Sequence, residues 1–283
     1  MKTIRVGGVP EHFNLPWHLT IEDGTFETRN LDVRWRDFPD GTGAMCKALR
    51  NEEIDAAVIL TEGIVKDILN GNKAKIIQEY IASPLIWGIH VDSHSDYREL
   101  KDLENKKVAI SRYGSGSHLM AYVNAKKMGW DTSKLQFEVV GDINGAVEAL
   151  RTGKADYFMW EHFTTKPLVD NGTFRRLGDC PTPWSCFVVA VRESFLEENK
   201  ASVQGMMETL NMVTEKFKDI PGVDIALASR YDQKEEDIEQ WLKITDWSQK
   251  QISVIEIGNV QEKLYELGLI TEKKPNSFFL ADY

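Results

Sequence analysis

One pattern is written twice in this chain. Ala48-Leu49-Arg50 followed by Asp55 returns as Ala149-Leu150-Arg151 followed by Asp156, and Thr28 with Leu31 returns as Thr132 with Leu135. The order of strand and helix signals returns with them. In the first copy Thr3 to Gly7 reads as a strand. Pro16 opens a helix to about Asp23, since its missing N–H is not needed in a first turn. Leu31 to Trp35 alternates as a half-buried strand, Ala44 to Asn51 is a short helix, and Ile54 to Leu60 is the apolar run of a strand covered on both faces. In the second copy Lys107 to Ser111, Ser117 to Gly129, Leu135 to Val140, Gly145 to Thr152 and Ala155 to Trp160 follow the same order. Matching order together with matching residues predicts an α/β protein of two homologous βαβαβ lobes, each on a largely parallel sheet.

Between the copies, Lys75 to Val91 carries two apolar stretches around Ser83-Pro84, read as strands that leave one lobe and enter the other. Pro183 to Val191 reads as the return crossing. The remainder, Glu193 to Tyr283, is mostly helical, and Val203, Met206, Met207, Leu210, Val213 and Phe217 form one buried stripe on a helix from Glu197 to Lys218. The expected division is a first lobe of residues 1–90 and 192–283, with the helical C-terminal part packed on it, and a second lobe of residues 91–191. Chains that cross twice make a hinge, and hinged lobes close over ligands.

In open α/β sheets ligands bind beyond the carboxyl ends of the strands. Applied strand by strand, that rule selects Gly8, Asn14, Leu15 and Trp17, then Phe38, Gly41 and Thr42, then Thr61 and Glu62. In the second copy it selects Arg112, Tyr113, Ser115, Gly116 and Ser117, then Asp142 to Gly145, then Trp160, Glu161 and His162, with Trp184 on the return crossing. The two sets are expected to face each other across a cleft. Serines and glycines at the helix start from Arg112 to Ser117 leave N–H groups for an anion, to which Arg112 adds charge. The same residues also read as an N-cap with a glycine-rich turn. Neither a phosphate loop nor a dinucleotide fingerprint fits, because no Gly-Lys-Ser/Thr follows and Leu119 occupies the third glycine position. Pro39 to Gly43 is a second anion nest or a plain turn. Glu161 and His162 offer a carboxylate for an N–H-bearing ligand, a general base, or the cap of the next helix. Trp17, Trp87, Trp160 and Trp184 suit either aromatic pocket walls or core.

Charge and spacing exclude other chemistry. Among 283 residues, 34 Lys and Arg stand against 44 Asp and Glu, a net charge of -10 that disfavours nucleic acid as a partner. No apolar run approaches the ~18 residues of a membrane span, so no membrane insertion is expected. His90 and His94 lack a third ligand for a metal, and no Ser-His-Asp or Cys-His set assembles; no cofactor is expected. The 3 cysteines form no framework, which fits a reducing compartment. With no secretory signal ahead of the first strand, the chain as given is expected to be cytoplasmic, or periplasmic if a signal has been removed.

Three segments carry a family resemblance: Ala48 to Val58, with its Ala-Leu-Arg-Asn-Glu-Glu-Ile-Asp core; Leu100 to Ala109, reading Leu-Lys-Asp-Leu-Glu-Asn-Lys-Lys-Val-Ala; and Ala149 to Asp156. From Thr3 to about Lys218 the chain resembles the type II periplasmic-binding-protein superfamily, in its nitrate/sulfonate/taurine-binding and thiamine-precursor-binding (NMT1/THI5-like) group. Glu52 and Asn105 depart from glycines common there, and Glu161-His162 stands where Glu-Pro is usual. The resemblance implies a monomeric, non-catalytic binding protein. It would close on a small molecule, an anionic sulfonate or carboxylate first and a heteroaromatic second, and work with an ABC permease. An orphan branch of the superfamily without secretion signals is also similar. The thiamine-pyrimidine synthases on this fold carry a cofactor lysine and a consumed histidine where this chain has Ile59 and Gly63, and of their cysteine-rich stretch only Cys186 remains, so that chemistry does not carry over. Two alternatives stand beside the binding reading: a dehydratase- or lyase-type enzyme using Glu161 and His162 as acid and base, and an intracellular ligand sensor.

Overall fold

Alternation and β-branched content set the first sheet. In β1 (Lys2–Gly8) Ile4 and Val6 are fully buried, and β1 runs parallel to β2 (Leu31–Asp37) and β3 (Ala56–Leu60). The structure, a computed structural model describing residues 1–281, divides into two units, Met1–Pro84 with Trp184–Tyr283, and Leu85–Pro183. The first unit holds, in chain order, β1, α1 (Leu15–Glu22), α2 (Thr25–Thr28), β2, α3 (Thr42–Arg50), β3, α4 (Thr61–Leu69) and β4 (Ala74–Ile81). The second holds β5 (Ile86–Asp92), β6 (Lys107–Ile110), α5 (Gly116–Met128), β7 (Gln136–Val139), α6 (Ile143–Arg151), β8 (Tyr157–Glu161), α7 (Lys166–Asp170) and β9 (Phe174–Pro181). The chain then returns to the first unit with β10 (Phe187–Arg192), α8 (Glu193–Thr214), α9 (Val223–Tyr231), α10 (Glu235–Ile244) and α11 (Val254–Glu266).

The sheet orders are β2-β1-β3-β10-β4 and β7-β6-β8-β5-β9, one topology used twice. Each sheet is three parallel strands extended by an antiparallel crossing strand and a fourth strand beyond it, so the sheets are more mixed than the βαβαβ reading predicts. The duplication also reaches further than the repeated residues, because β4 and β9 occupy matching places. The expected lobe boundaries shift for a related reason. Trp87 on β5 pairs with Glu161 on one side and Cys180 on the other, which places β5 in the second unit. Val189 on β10 pairs with Val58 and Gln78, which places β10 in the first. Each crossing strand joins the sheet it arrives at, moving the divisions from 90/91 and 191/192 to 84/85 and 183/184.

The repeated aspartate explains why the motif recurs. The Arg5 N–H donates to the Asp55 carboxylate at 2.9 Å and the Asp55 N–H to the Arg5 carbonyl at 2.8 Å. Lys107 and Asp156 repeat the exchange at 2.7 and 2.8 Å. In each unit the aspartate fastens the start of the third strand to the first. Ahead of it the chain leaves the preceding helix through a left-handed residue, Glu52 at φ 59 in one copy and Gly153 at φ 68 in the other. Asn105, the second departure from a family glycine, is also left-handed at φ 60. Asp55 is 3% exposed in its side chain and is bound by the guanidinium groups of Arg5 and Arg192 at 2.6 and 2.9 Å. Burial is the largest influence on this carboxyl and pushes it up, but the combined hydrogen bonds of Arg5 and Arg192 outweigh it and hold Asp55 below the usual range.

The C-terminal helices complete the first unit. α8 buries Val203, Met206, Met207 and Leu210. It begins at Glu193 rather than Glu197, with non-helical backbone at Asn199, and Phe217 falls in a separate short turn. Among the described residues no helix is long and apolar enough to cross a membrane.

Candidate functional site

The carboxyl ends of the parallel strands define one edge of each sheet. In the first unit that edge holds the turn after β1, the start of α3, and the start of α4. β10 is antiparallel to β3, with Phe187 opposite Leu60, so the residues ahead of it, Trp184 to Cys186, reach the same edge.

The sequence-selected residues of the first unit divide here. Gly8 is buried, and a Cβ on it would lie 2.2 Å from the Trp35 ring, so a side chain at this strand end would have to displace that ring. Leu15, Trp17 and Phe38 are core residues, 1%, 0% and 5% exposed; the Trp17 ring packs against Phe26 and Trp35. Gly41 has φ 71 and opens α3. Thr61 is buried and donates its hydroxyl to the Ser185 carbonyl at 2.7 Å, tying β3 to the segment before β10. Asn14, Thr42, Glu62 and Trp184 carry the polar chemistry. Asn14 Nδ2 donates to the Val9 carbonyl at 2.8 Å. Trp184 Nε1 donates to Glu62 Oε2 at 2.8 Å. Among the described residues, the buried atoms Asn14 Oδ1, Thr42 Oγ1 and Glu62 Oε1 have no partner in another residue. Burial pushes the Glu62 carboxyl up to about 7 against the pull of its hydrogen bonds.

In the second unit the helix start is built as an N-cap. Ser115 Oγ accepts from the His118 N–H at 3.3 Å and lies 3.0 Å from Ser117 Oγ, which accepts from the Ser111 N–H at 3.0 Å. The backbone N–H groups of Gly116 and Ser117, in the first turn of α5, bond to nothing among the described residues. Arg112 is half-buried, and Tyr113 is 66% exposed with its ring edge-on to His118 and Phe137. Trp160 is half-buried against Trp87 and Phe158.

Glu161 and His162 do not form a pair. The Glu161 carboxylate accepts the N–H and hydroxyl of Thr164 at 2.6 and 2.8 Å, closing the turn ahead of α7 rather than capping that helix, whose cap position is Thr165. Burial pushes its carboxyl up, against those bonds. His162 Nδ1 lies 2.9 Å from Asp179, and Arg176 reaches both the ring and the His162 carbonyl. His90 is fully buried beside Thr165 and Arg176 rather than in a metal-binding arrangement with His94, which is exposed.

Several residues at the first unit's edge escape sequence reading. Ser185 N–H donates to Glu256 at 2.6 Å, and Glu256 comes from α11. His12, 2% exposed, stacks on Phe13 and meets Trp241 of α10 edge-on, and burial lowers its imidazole to about 3. No periodicity links these distant segments.

The sheet order and the double crossing can be set against known structures. The Candida albicans CA3427 gene product, described as exhibiting the generic periplasmic binding protein fold, superposes with a TM-score of 0.90 over 99% of this chain and 96% of its own, at 24% identity. This is the type II periplasmic-binding-protein fold. Sulfonate-binding proteins with that fold are similar as well. The alkanesulfonate-binding SsuA from Xanthomonas axonopodis pv. citri, bound to MOPS, gives 0.83 at 18% identity over 99% of this chain and 98% of its own. The aliphatic sulphonate-binding SsuA from Escherichia coli gives 0.74 at 17% identity over 100% and 92%. A family model described as Ca3427-like PBP matches residues 87–180, a stretch inside the second unit of this binding-protein fold. A sequence comparison with curated proteins finds no match.

Proposed function

We propose that this protein is a non-catalytic solute-binding protein whose two lobes close over a small anionic or aromatic molecule. One observation carries the reading. The Ser115-capped start of α5 holds two backbone N–H groups that bond to nothing among the described residues, four and five positions after half-buried Arg112, the chemistry that holds a sulfonate or carboxylate. Structural likeness to sulfonate-binding proteins, one of them bound to MOPS, supports the same class. Glu161 and His162, the candidate acid and base, are both committed to neighbouring residues, which favours binding over catalysis. An ABC importer is the partner this reading proposes.

Isothermal titration with MOPS, short alkanesulfonates, nitrate and an aminopyrimidine tests it, with small-angle scattering to follow closure. The expected result is saturable binding of at least one anionic or aromatic compound, a smaller radius of gyration when bound, and recovery of the compound unchanged. Chemical conversion of a bound compound would overturn the non-catalytic reading.

A further inference from the structure

The return segment 184–186 is pinned to the first unit's edge from several directions. The Ser185 carbonyl accepts the Thr61 hydroxyl at 2.7 Å, and the Cys186 carbonyl accepts the Thr61 N–H at 3.1 Å. The Cys186 N–H donates to the Ser83 carbonyl at 3.1 Å. Those bonds go to the start of α4 and to the chain just after β4. The Ser185 N–H goes elsewhere. It donates to Glu256 Oε1 at 2.6 Å, across 71 residues of chain, a short bond of the charge-assisted kind. Glu256 is held in turn: it lies in the first turn of α11, its N–H donates to the capping Ser253 hydroxyl at 3.1 Å, and α11 packs on α4, the helix that Thr61 and Glu62 begin.

One residue before Ser185, the Trp184 indole N–H donates to Glu62 Oε2 at 2.8 Å. Ring and carboxyl are both buried, 4% and 2% exposed. A buried ring cannot shift without the backbone that carries it. A carboxyl that fixes the Ser185 N–H therefore also fixes where the Trp184 indole meets Glu62.

Resting on the solute-binding reading, we propose that Glu256 is a positioning residue. From α11, through the Ser185 N–H, it sets the place of the Trp184 indole and with it the orientation of the Glu62 carboxyl. Solute affinity is then governed in part from a C-terminal helix that no strand-end rule selects.

The Trp184 indole N–H reports this without a solute. Its exchange with deuterium is followed by NMR of the 15N-labelled protein, the signal being assigned by its loss in W184F. E256A is expected to exchange that indole about ten-fold faster than wild type or more. E256Q, whose amide oxygen still accepts the Ser185 N–H, is expected to stay within about two-fold. S253A weakens α11 by removing its cap but keeps the Glu256 side chain, and is also expected to stay within about two-fold. An exchange rate unchanged in E256A, or raised as much by E256Q or S253A as by E256A, overturns the positioning role and leaves the solute-binding reading standing. In parallel, MOPS, propane-1-sulfonate, nitrate and 4-aminopyrimidine are titrated calorimetrically. Whichever of them wild type binds should lose about ten-fold in affinity with E256A and less than about two-fold with E256Q. Affinity kept in E256A while its indole exchanges faster overturns the link from Glu256 to binding. No binding of the four compounds to wild type overturns the solute-binding reading, and indole exchange still decides whether Glu256 places Trp184.

Discussion

Glu62→Gln in the unliganded protein is expected to raise stability, in a pH-dependent way that can be worked from the structure. Burial lifts the Glu62 carboxyl from 4.5 to about 7. A difference of about 2.5 pH units at about 1.4 kcal/mol each makes the ionised form about 3.5 kcal/mol less favourable in the folded chain than in the unfolded one. The sign follows from the raised folded value. The favourable contribution of the protonated group is complete below pH 4.5 and is lost as pH rises to about 7. Glutamine never ionises, so the stability gap between variant and wild type should be constant below about pH 4.5. It should then widen in favour of the variant and level off above about pH 7. Urea unfolding followed by tryptophan fluorescence, run in parallel on both proteins from about pH 5 to 9, reads this gap while cancelling every other titrating group. A gap that stays flat across that range would show that Glu62 is solvated or neutralised in the free protein, and the burial argument would fail.

Three further outcomes follow from the repeated motif. Replacing left-handed Glu52 with glycine should raise stability by about 1 kcal/mol, since its ion pair with Arg192 spans 3.3 Å from a side chain 69% exposed and contributes little; Gly153→Ala should lose a similar amount, both read from denaturant midpoints. Asp55→Asn should destabilise by about 3–5 kcal/mol, because it removes the buried carboxylate shared by Arg5 and Arg192 and leaves the Arg192 guanidinium, 11% exposed, with only the exposed Glu52 as a charge partner; a loss under 1 kcal/mol in the same unfolding assay would contradict the reading of Asp55 as the fastener of β3.

The duplication was visible in the sequence because the residues that recur have a local structural job. Ala48 and Ala149 carbonyls accept from Glu53 and Lys154 N–H groups in the same turn, and Asp55 and Asp156 then fasten onto their first strands. Membership of the crossing strands was not visible. β5 and β10 are both buried apolar runs, and nothing local says which sheet completes their hydrogen bonds. The edges of the sheets were legible from strand direction, so Asn14, Thr42, Glu62 and Ser115 could be selected. The side-chain directions at those edges were not. Glu161 turning to Thr164 is a rotamer outcome, while Leu15 and Phe38 entering the core follows from packing against the sheet. Glu256 reaches Ser185 across a chain separation that no spacing rule spans.

The interrupted path of the first unit has a consequence for how the chain is made. β3 ends at Leu60, but its hydrogen-bonding neighbour β10 begins only at Phe187, while the whole of the second sheet is encoded in one unbroken stretch. During translation the later-encoded sheet therefore has all its strands before the earlier one does. The amino-terminal strands must wait, with one flank of β3 bare, until the polypeptide has come back to them.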